Sequence, residues 1–509
     1  MLPRHRRVLL LAALFLLALA IRLPYFHLVP RFEDEGLEVI RALEVSRGTN
    51  VPMIGYDIYY GPLFTVIVAA LFRLLDADLL AARVVAVVAG ALTVPAIYLL
   101  ARMVANARVA IVAALLALTS PMLVVVGSHF GWSNSLTPLL ATATLAAVYV
   151  GVTERRLMWL ATGGFLAGLM VQSHPLSVVL VVALVVWHFV RCPPAEWFKR
   201  LEVYVAAVAF GIGYAPMLWI LTGRPDQVID AVQKQSYVYG PVESIGQYMD
   251  RLVSALTLLV TTIAGTGERL WAGFHDVPRL RRAIELATLG VVASGLVLSG
   301  RARSFLAIAL LLPMLVLPLF THALQSRYLL LLVPLACVCA GVALSSIWER
   351  GGWAPRLVAT GALVAVLTVN LVAIVRVERR AIRDGDSNAA FFAVRDAVVR
   401  NGECQDHVFI EDTDALGLPP GEARTWTYFN AQAVRFVLTL AGCPQTAAPS
   451  GHLLDLVAAR PDPVWLIVPE QSVTAFSSRV TLTRVLQVAP APALPEALRL
   501  TLFRVEGTR

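Results

Sequence analysis

The sequence predicts an α-helical polytopic membrane protein with about 11 transmembrane helices and a C-terminal soluble α/β domain. Hydrophobic residues make up 58% of its 509 residues, charged residues only 15%, and the mean hydropathy is +0.72. Apolar runs long enough to cross a bilayer fill the chain as far as residue 375, and the remainder is more polar. This composition excludes a soluble globule.

A basic N-terminus opens the chain. The basic residues 4–7 precede an apolar run over 8–23, which predicts a first span with its basic end in the cytoplasm. Residues 18–20 (Ala-Leu-Ala) resemble a signal-peptidase site, so cleavage is an alternative. Arg22, Pro24 and the many later spans favour a retained span.

The first external loop, predicted over residues 24–80, contains the acidic cluster Glu33-Asp34-Glu35 directly after the first span. Charge beside hydrocarbon is costly and marks a substrate or ion path. The residues that follow alternate between an apolar and a polar helical face, which predicts a helix lying on the membrane surface. The alternative is an acidic turn that offsets the helix dipole. Pro62 predicts the start of a second surface helix, ending at about Leu75 and too short to span.

Further apolar runs predict the remaining spans, and loop charges orient them. Arginines and lysines recur in the loops on the side of the basic N-terminus. Because the +8 net charge is spread over these loops, nucleic acid is not an expected partner. Residues 252–264 are predicted as a surface helix; if they formed a span, all later spans would invert. The spans are predicted at 81–101, 109–126, 136–152, 157–173, 176–191, 201–221, 282–299, 304–320, 328–347 and 357–375.

The two predicted domains are a membrane domain over 1–375 and a periplasmic or extracellular α/β domain over 376–509. The second has a helix-like stretch at 389–400 and strand-like runs at 407–410, 464–468 and 498–503. Cys404 and Cys443 lie in it, and an oxidising exterior would allow them to form a disulfide, although spacing alone leaves this open. Cys337 and Cys339 are expected as buried thiols, and no cysteines have zinc-type spacing.

Polar and aromatic side chains interrupt the apolar pattern at the outer ends of several spans. His129 and Asn134 follow the third span, His174 follows the fifth, and Arg327-Tyr328 open the tenth. Interfacial histidines and a snorkelling arginine are the structural alternatives. A carboxylate can remove a proton from a bound hydroxyl, and a guanidinium is suited to a departing phosphate. Together they indicate glycosyl transfer from a lipid phosphate, since no Gly-rich nucleotide loop is present.

Residues 1–375 resemble the GT-C glycosyltransferases, in particular the protein O-mannosyltransferase and aminoarabinose-transferase group (glycosyltransferase family 39-like). The resemblance rests on the basic N-terminus, Asp34-Glu35-Gly36, the proline-led surface helix, Ala82-Arg83, and Ser326-Arg327-Tyr328 with Pro334. It implies a polyprenyl-phosphate sugar donor, used on the outer face of the cytoplasmic membrane with inversion. By resemblance Asp34 would be the catalytic base, Glu35 would orient acceptor or base, and Arg327 would hold the donor phosphate. The remaining predicted substrate-binding residues are Tyr328, Tyr60, His129, Asn134 and His174.

The chain departs from that group at two positions. Tyr60-Gly61-Pro62-Leu63 replaces a His-Pro-Pro-Leu-like start of the second surface helix, and Asn134 stands where many relatives have an aspartate. Without the second acid a divalent metal is less favoured, and no cofactor is predicted. The missing acid also leaves open an altered acceptor or an inactive relative.

Several functional alternatives remain at the level of sequence. The acceptor is predicted only as a protein, a lipid or an envelope glycan. A polysaccharide polymerase or ligase shares the lipid-linked donor, and a lipid-linked-sugar transporter shares the many spans. A transporter would place ionisable residues at mid-membrane, whereas the acids here lie near the outer face. An envelope-binding protein would need far fewer spans.

Overall fold

A computed structural model gives the architecture of most of the chain. Asp34 and Cys404 lie outside the residues that it describes. Those residues are 4–24, 26, 35–49, 60–75, 79–194, 200–234, 240–266, 277–321, 324–383, 389–402, 406–411, 434–435, 437–439, 441–448, 450–460, 463–488 and 500–508.

The described part of the chain is mainly helical. In order its helices are α1 (Arg4–Arg22), α2 (Glu35–Ser46), α3 (Leu63–Leu74), α4 (Leu79–Val104), α5 (Ala107–Thr119), α6 (Thr137–Thr153), α7 (Leu157–Ser173), α8 (Val178–Arg191), α9 (Leu201–Gly213), α10 (Ala215–Gly223), α11 (Pro225–Lys234), α12 (Ile245–Ala264), α13 (Pro278–Leu298), α14 (Arg303–Val316), α15 (Val333–Glu349), α16 (Trp353–Arg383), α17 (Ala389–Gly402), α18 (Ser450–Ala458) and α19 (Val473–Ser477).

Every predicted span coincides with one of these helices or with a pair of them. By length and composition, five helical stretches in the described ranges could cross a membrane: Leu80–Val104, Ser133–Thr153, Gly300–Leu319, Ser326–Glu349 and Trp353–Arg379. Helices α9 and α10, bent by 73° to each other, would make a sixth. Helices α5 and α7 are apolar but shorter. The several apolar helices agree with the predicted fold class, and the figure of about 11 spans stays a prediction.

Helices are present where surface helices were predicted, and their position relative to the membrane stays a prediction. Helix α3 follows Pro62 and ends at Leu74, as the proline indicated. Helix α2 buries Val39 and Leu43 on its apolar side, but it also buries Glu35 and Glu38. The predicted helix over 252–264 is α12, which begins earlier because the Ser244 side chain accepts a hydrogen bond from the Gln247 N–H and caps it.

Regular α-helix gives way to other geometry near the ends of several helices. A π-helical turn occupies Met122–Val126, and 3₁₀ turns occupy Ser133–Leu136, Pro175–Ser177 and Ser326–Leu332. Such turns are frequent at functional sites because they redirect side chains out of the helical repeat. All the predicted substrate-binding residues after Tyr60 lie in or beside these segments.

A five-stranded mixed sheet forms the centre of the C-terminal domain. Its order is β2-β1-β3-β5-β4, with β1 parallel to β2 and β3, and β5 antiparallel to β3 and β4. The predicted strand runs correspond to β1, β3 and β5, whereas β2 and β4 were not predicted. The strands are β1 (Val408–Glu411), β2 (Gln445–Ala448), β3 (Val464–Pro469), β4 (Val480–Val488) and β5 (Leu500–Thr508).

The two faces of this sheet belong to different apolar cores. Trp465 and Ile467 of β3 join a cluster that includes residues of α2, α3, α4 and α17. The intervening residues, Leu466 and Val468, pack with α18 and α19. This alternation follows from the two-residue repeat of a strand. One face of the C-terminal domain therefore packs on α2, α3 and the start of α4.

The cysteines divide as the sequence indicated. Cys337 and Cys339 are buried free thiols in α15, and Cys192 is also free. Cys443 is disulfide-bonded. Its predicted partner, Cys404, lies outside the described residues.

Candidate active site

Glu35 and Arg83 form a buried, two-pronged ion pair. The Nε and Nη2 atoms of Arg83 donate to the Oε1 and Oε2 atoms of Glu35, each at 2.8 Å, and both side chains are fully buried. The planar guanidinium matches a carboxylate in this geometry. Because Glu35 is the first residue of α2, its charge also offsets the positive end of the helix dipole. The pair fixes the start of α2, immediately after Asp34, against α4.

Gly131 attaches a second segment to the same carboxylate. Its backbone N–H donates to Oε1 of Glu35 at 2.5 Å. A Cβ at position 131 would lie 2.9 Å from that oxygen and 2.9 Å from the Cβ of Ala82, so a side chain could not enter without displacing one of them. Glycine therefore allows the loop after the π-turn to approach α2 closely.

Glu38 and Asn134 extend this connection to Arg327. The backbone N–H and the Oγ of Ser133 each donate to Glu38 at 2.7 Å. The amide of Asn134, the next residue, donates to the backbone carbonyl of Arg327 at 3.0 Å. Together with the hydrogen bond from Gly131, these contacts join α2, the 131–134 loop and the 326–328 turn. Helix α2, which follows the predicted base in sequence, and the turn containing the predicted phosphate ligand are therefore held by one network.

The guanidinium of Arg327 lies over two aromatic rings. Its Cζ is 5.2 Å from the ring centroid of Trp132 and 5.3 Å from that of Tyr328. Its Nη2 is 3.4 Å from the Tyr328 hydroxyl. Phe130 in turn stacks on Trp132, with centroids 4.8 Å apart. Cation–π contact of this kind stabilises the charge and restricts the plane of the fork.

His174 lies between two tyrosine rings. Its ring centroid is 5.7 Å from Tyr60 and 4.8 Å from Tyr328. The side chain is buried in the loop between α7 and α8. Burial, together with the positive charge of Arg327, lowers the pKa of His174 to about 3. The imidazole is therefore neutral near physiological pH.

Tyr60 approaches this histidine because the next residue is glycine. The Gly61 N–H donates to the carbonyl of Gln172 at 3.0 Å. A Cβ at position 61 would lie only 2.5 Å from the Cβ of Gln172. The Tyr60-Gly61 departure from the family pattern therefore accompanies a close contact between the start of α3 and the end of α7.

His129 belongs to a separate buried pair with Glu378 of α16. Its Nδ1 is 3.0 Å from Oε1 of Glu378, and its Nε2 is 2.9 Å from the carbonyl oxygen of Arg22. Because a carbonyl only accepts, Nε2 is the ring nitrogen that donates in this contact. Both ring nitrogens thus face protein atoms, and the pair connects α1, the loop after the π-turn and α16.

The structure brings most of the predicted site residues together. Glu35, Asn134 and Arg327 share the first network, and Tyr60, His174 and Tyr328 are linked by ring contacts that meet it at Arg327. His129 lies in the pair described above. Asp34, the predicted base, lies outside the described residues, and both oxygens of its neighbour Glu35 are held by protein donors.

Several residues of these networks were not predicted. They are Glu38, Trp132, Ser133 and Glu378, and Arg83 was noted only as part of a family pattern. The sequence did indicate that the charged residues among them have partners, because an acid or arginine at the end of an apolar helix requires one. Trp132 and Ser133 had no comparable signal, since interfacial tryptophans and loop serines are ordinary in membrane proteins.

Within the described ranges, no group of three or more His, Cys, Asp or Glu side chains could hold a metal ion. Asp34 is not among them. The expectation of a site without a metal therefore stays a prediction.

An apolar groove of about 530 Å³ lies between α12, α13 and α14. Leu259, Leu289, Val292 and Leu310 are among its lining residues. Helix α12, which forms one wall, also packs against the 326–332 turn. The groove and Arg327 are thus connected through one helix.

Comparisons with known proteins agree with this architecture. Residues 60–220 match a family model described as dolichyl-phosphate-mannose-protein mannosyltransferase. No match was found among curated protein sequences.

Solved structures share the fold over almost the whole chain. The chain superposes on ArnT from Cupriavidus metallidurans bound to undecaprenyl phosphate with a TM-score of 0.63 at 14% identity, covering 99% of this chain and 98% of that one. For the apo state of the same protein the TM-score is 0.64 at 14% identity, with 98% and 97% covered. The apo oligosaccharyltransferase from Archaeoglobus fulgidus gives 0.54 at 12% identity, covering 93% of this chain and 71% of that one.

At such identities the structural likeness establishes the fold, and the family match over 60–220 provides the relationship in sequence. Together, the family match over 60–220 and the shared fold support a glycosyltransferase of the GT-C type, similar to the aminoarabinose and protein mannosyltransferase group.

Proposed function

We propose that the protein transfers a sugar from a polyprenyl-phosphate donor to a hydroxyl-bearing acceptor on the outer face of the cytoplasmic membrane. The carrying observation is the network from Glu35 through Gly131, Ser133 and Asn134 to the Arg327 backbone. It gives a fixed spatial relationship between the segment that follows Asp34 and a guanidinium mounted on aromatic rings.

In this reaction Asp34 removes the proton from the acceptor hydroxyl. The acceptor oxygen then forms a bond to the anomeric carbon while the bond from that carbon to the phosphate oxygen breaks, and the lipid phosphate leaves with the electron pair. Attack opposite the leaving group inverts the anomeric centre. Arg327 offsets the charge that develops on the phosphate, as a preorganised cation does at other displaced phosphates.

The donor lipid has a suitable location in the apolar groove between α12, α13 and α14. Because α12 forms one wall and also packs against the 326–332 turn, a prenyl chain in the groove would bring its phosphate towards Arg327. About 530 Å³ accommodates part of such a chain, and its remainder would extend into the bilayer. ArnT from Cupriavidus metallidurans, which shares the fold, is solved with undecaprenyl phosphate, and this supports the class of donor.

The test compares the purified wild-type protein with Asp34→Asn and Arg327→Lys on a set of polyprenyl-phosphate sugars, with cell-envelope extract as acceptor. Asp34→Asn removes basicity at constant size, so transfer should fall by about 10²- to 10⁴-fold while donor binding is retained. Arg327→Lys should weaken donor use despite the conserved charge, because a point charge replaces a two-pronged fork.

Matched control variants are available in the same chain. Glu44→Gln changes another acid of α2, one that pairs with Arg41 on a partly exposed surface. Arg108→Lys changes a half-exposed arginine paired with Glu349. Both should transfer sugar at the wild-type rate. Wild-type transfer by Asp34→Asn would eliminate Asp34 as the base. If neither the wild type nor any variant consumes donor, although all of them fold and bind lipid, an inactive relative or a transporter is favoured.

A further inference from the structure

The imidazole of His174 has no hydrogen-bond partner at either nitrogen among the described residues, although only 2% of the residue is exposed. Its backbone is satisfied, since its N–H donates to Met170 and its carbonyl accepts from Ser177. The backbone hydrogen bonds of the loop therefore do not explain why a polar side chain is buried at this position. Packing between Tyr60 and Tyr328 holds the ring in place.

A second buried donor belongs to the ring of Trp132, which Arg327 covers. The indole Nε1 of Trp132 also has no partner in the described part of the chain, and Trp132 is 2% exposed. Buried polar groups are nearly always paired, and leaving one unpaired costs about 1 to 3 kcal/mol. One of these groups is on a ring that the Arg327 guanidinium covers, and the other packs against Tyr328, the second such ring. Two unpaired groups in this position indicate that their partners belong to a ligand.

The protonation state of His174 defines which ligand group it fits. Because burial and Arg327 keep the imidazole neutral, it presents one donor and one acceptor. A phosphate offers only acceptors and is already served by the Arg327 fork. A hydroxyl both donates and accepts, so it can pair with a neutral imidazole in either tautomer.

We propose that His174 hydrogen-bonds a hydroxyl of the sugar carried by the lipid donor and so determines which sugars the site accepts. This rests on the proposed function, because it assumes that a lipid-linked sugar lies beside Arg327. The Trp132 N–H would donate to an oxygen of the same sugar phosphate. His174 is then a specificity-determining residue rather than the base.

The experiment measures kcat/KM for the parent donor and for analogues that each lack one sugar hydroxyl, using wild type, His174→Phe and His174→Gln. Wild type should discriminate against one deoxy analogue by tenfold or more, because that analogue leaves the imidazole unpaired. His174→Phe should lose discrimination at that one position only. His174→Gln should keep part of this discrimination, because its amide both donates and accepts. It also provides the test if the phenylalanine variant does not fold.

The control is His188→Phe, a change at the opposite end of α8 that should leave every ratio at its wild-type value. Unchanged discrimination in both His174 variants would overturn the proposal and assign the imidazole to bound water. The proposal would also be overturned if the His174 variants lost binding to sugar-free polyprenyl phosphate by the same factor as to the sugar donor. That result would indicate a contact between His174 and the phosphate. Failure of the proposed function is distinct, since wild type would then consume none of the donors.

Discussion

Breaking the buried Glu35–Arg83 pair should destabilise the fold. The guanidinium and the carboxylate meet at two contacts of 2.8 Å with no exposed surface on either side chain. Removing one partner leaves an uncompensated buried charge, which costs about 3 to 5 kcal/mol. We therefore expect this loss for Arg83→Met. Glu35→Gln should lose a similar amount, although its amide oxygen can still accept from Gly131.

The double variant separates a structural pair from two independent residues. If the two losses were additive, the Glu35→Gln/Arg83→Met protein would lose about 6 to 10 kcal/mol. The double variant buries neither charge, so neither desolvation cost remains. Its loss of stability should therefore be smaller than the sum of the two single losses. The coupling energy then has the sign of a mutual attraction.

Reversible unfolding in mixed detergent micelles measures these free energies, and sugar transfer is assayed on the same samples. The exposed pair Arg108–Glu349, at 3.0 Å and about half exposed, is the matched control. Glu349→Gln should cost less than about 1 kcal/mol. The reasoning would be refuted if Glu35→Gln kept wild-type stability while abolishing transfer, because Glu35 would then act in the chemistry itself.

Two further predictions concern the histidines. Glu378→Ala should destabilise the protein by about 1 to 3 kcal/mol, because it removes the carboxyl group that lies 3.0 Å from the buried Nδ1 of His129. Glu378→Gln should lose less, because its amide keeps a polar group of the same size beside that nitrogen. Equal effects of the two substitutions in the unfolding assay would contradict a stabilising contact between the two side chains. The pKa of His174 falls from 6.5 to about 3 on folding, so the unfolded chain binds the extra proton and stability decreases as the pH falls below 6.5. Between pH 7 and 5 this contribution is about 2 kcal/mol, and thermal unfolding of His174→Phe should lack it. An identical pH dependence in wild type and variant would show that His174 is not held neutral.

The sequence predicted the helices better than the sheet, for a reason visible in the strands. Strands β1 and β3 lie inside the sheet, and every residue in both is buried. They appear in sequence as short apolar runs, and the run in β1 ends at Glu411. Strands β2 and β4 are the edges and were missed. Strand β2 has only four residues, two of which are polar. Strand β4 alternates apolar and polar residues, a signal present in the sequence but obscured by its irregular register.

Individual site residues could be predicted, but most of their partners could not. Asn134 and Arg327 are unusual where they stand, and local pattern was enough to select them. Glu38 and Ser133 are 95 positions apart, and nothing local connects them. The polar half-face that contains Glu38 suggests exposure to water, whereas the structure buries it against Ser133. A helix lying on other protein segments hides polar side chains whose partners come from distant loops.

The C-terminal domain and the acidic segment are not independent structures. Val39 and Leu43 of α2 share one apolar cluster with Phe391 of α17 and Trp465 of β3. Glu35 and Glu38 of the same helix belong to the polar network that reaches the backbone of Arg327. Helix α2 therefore connects the C-terminal domain with that network, and packed cores of this kind resist continuous deformation. Under the proposed function, an acceptor held by the C-terminal domain would be positioned by the same helix that is joined to the turn containing Arg327.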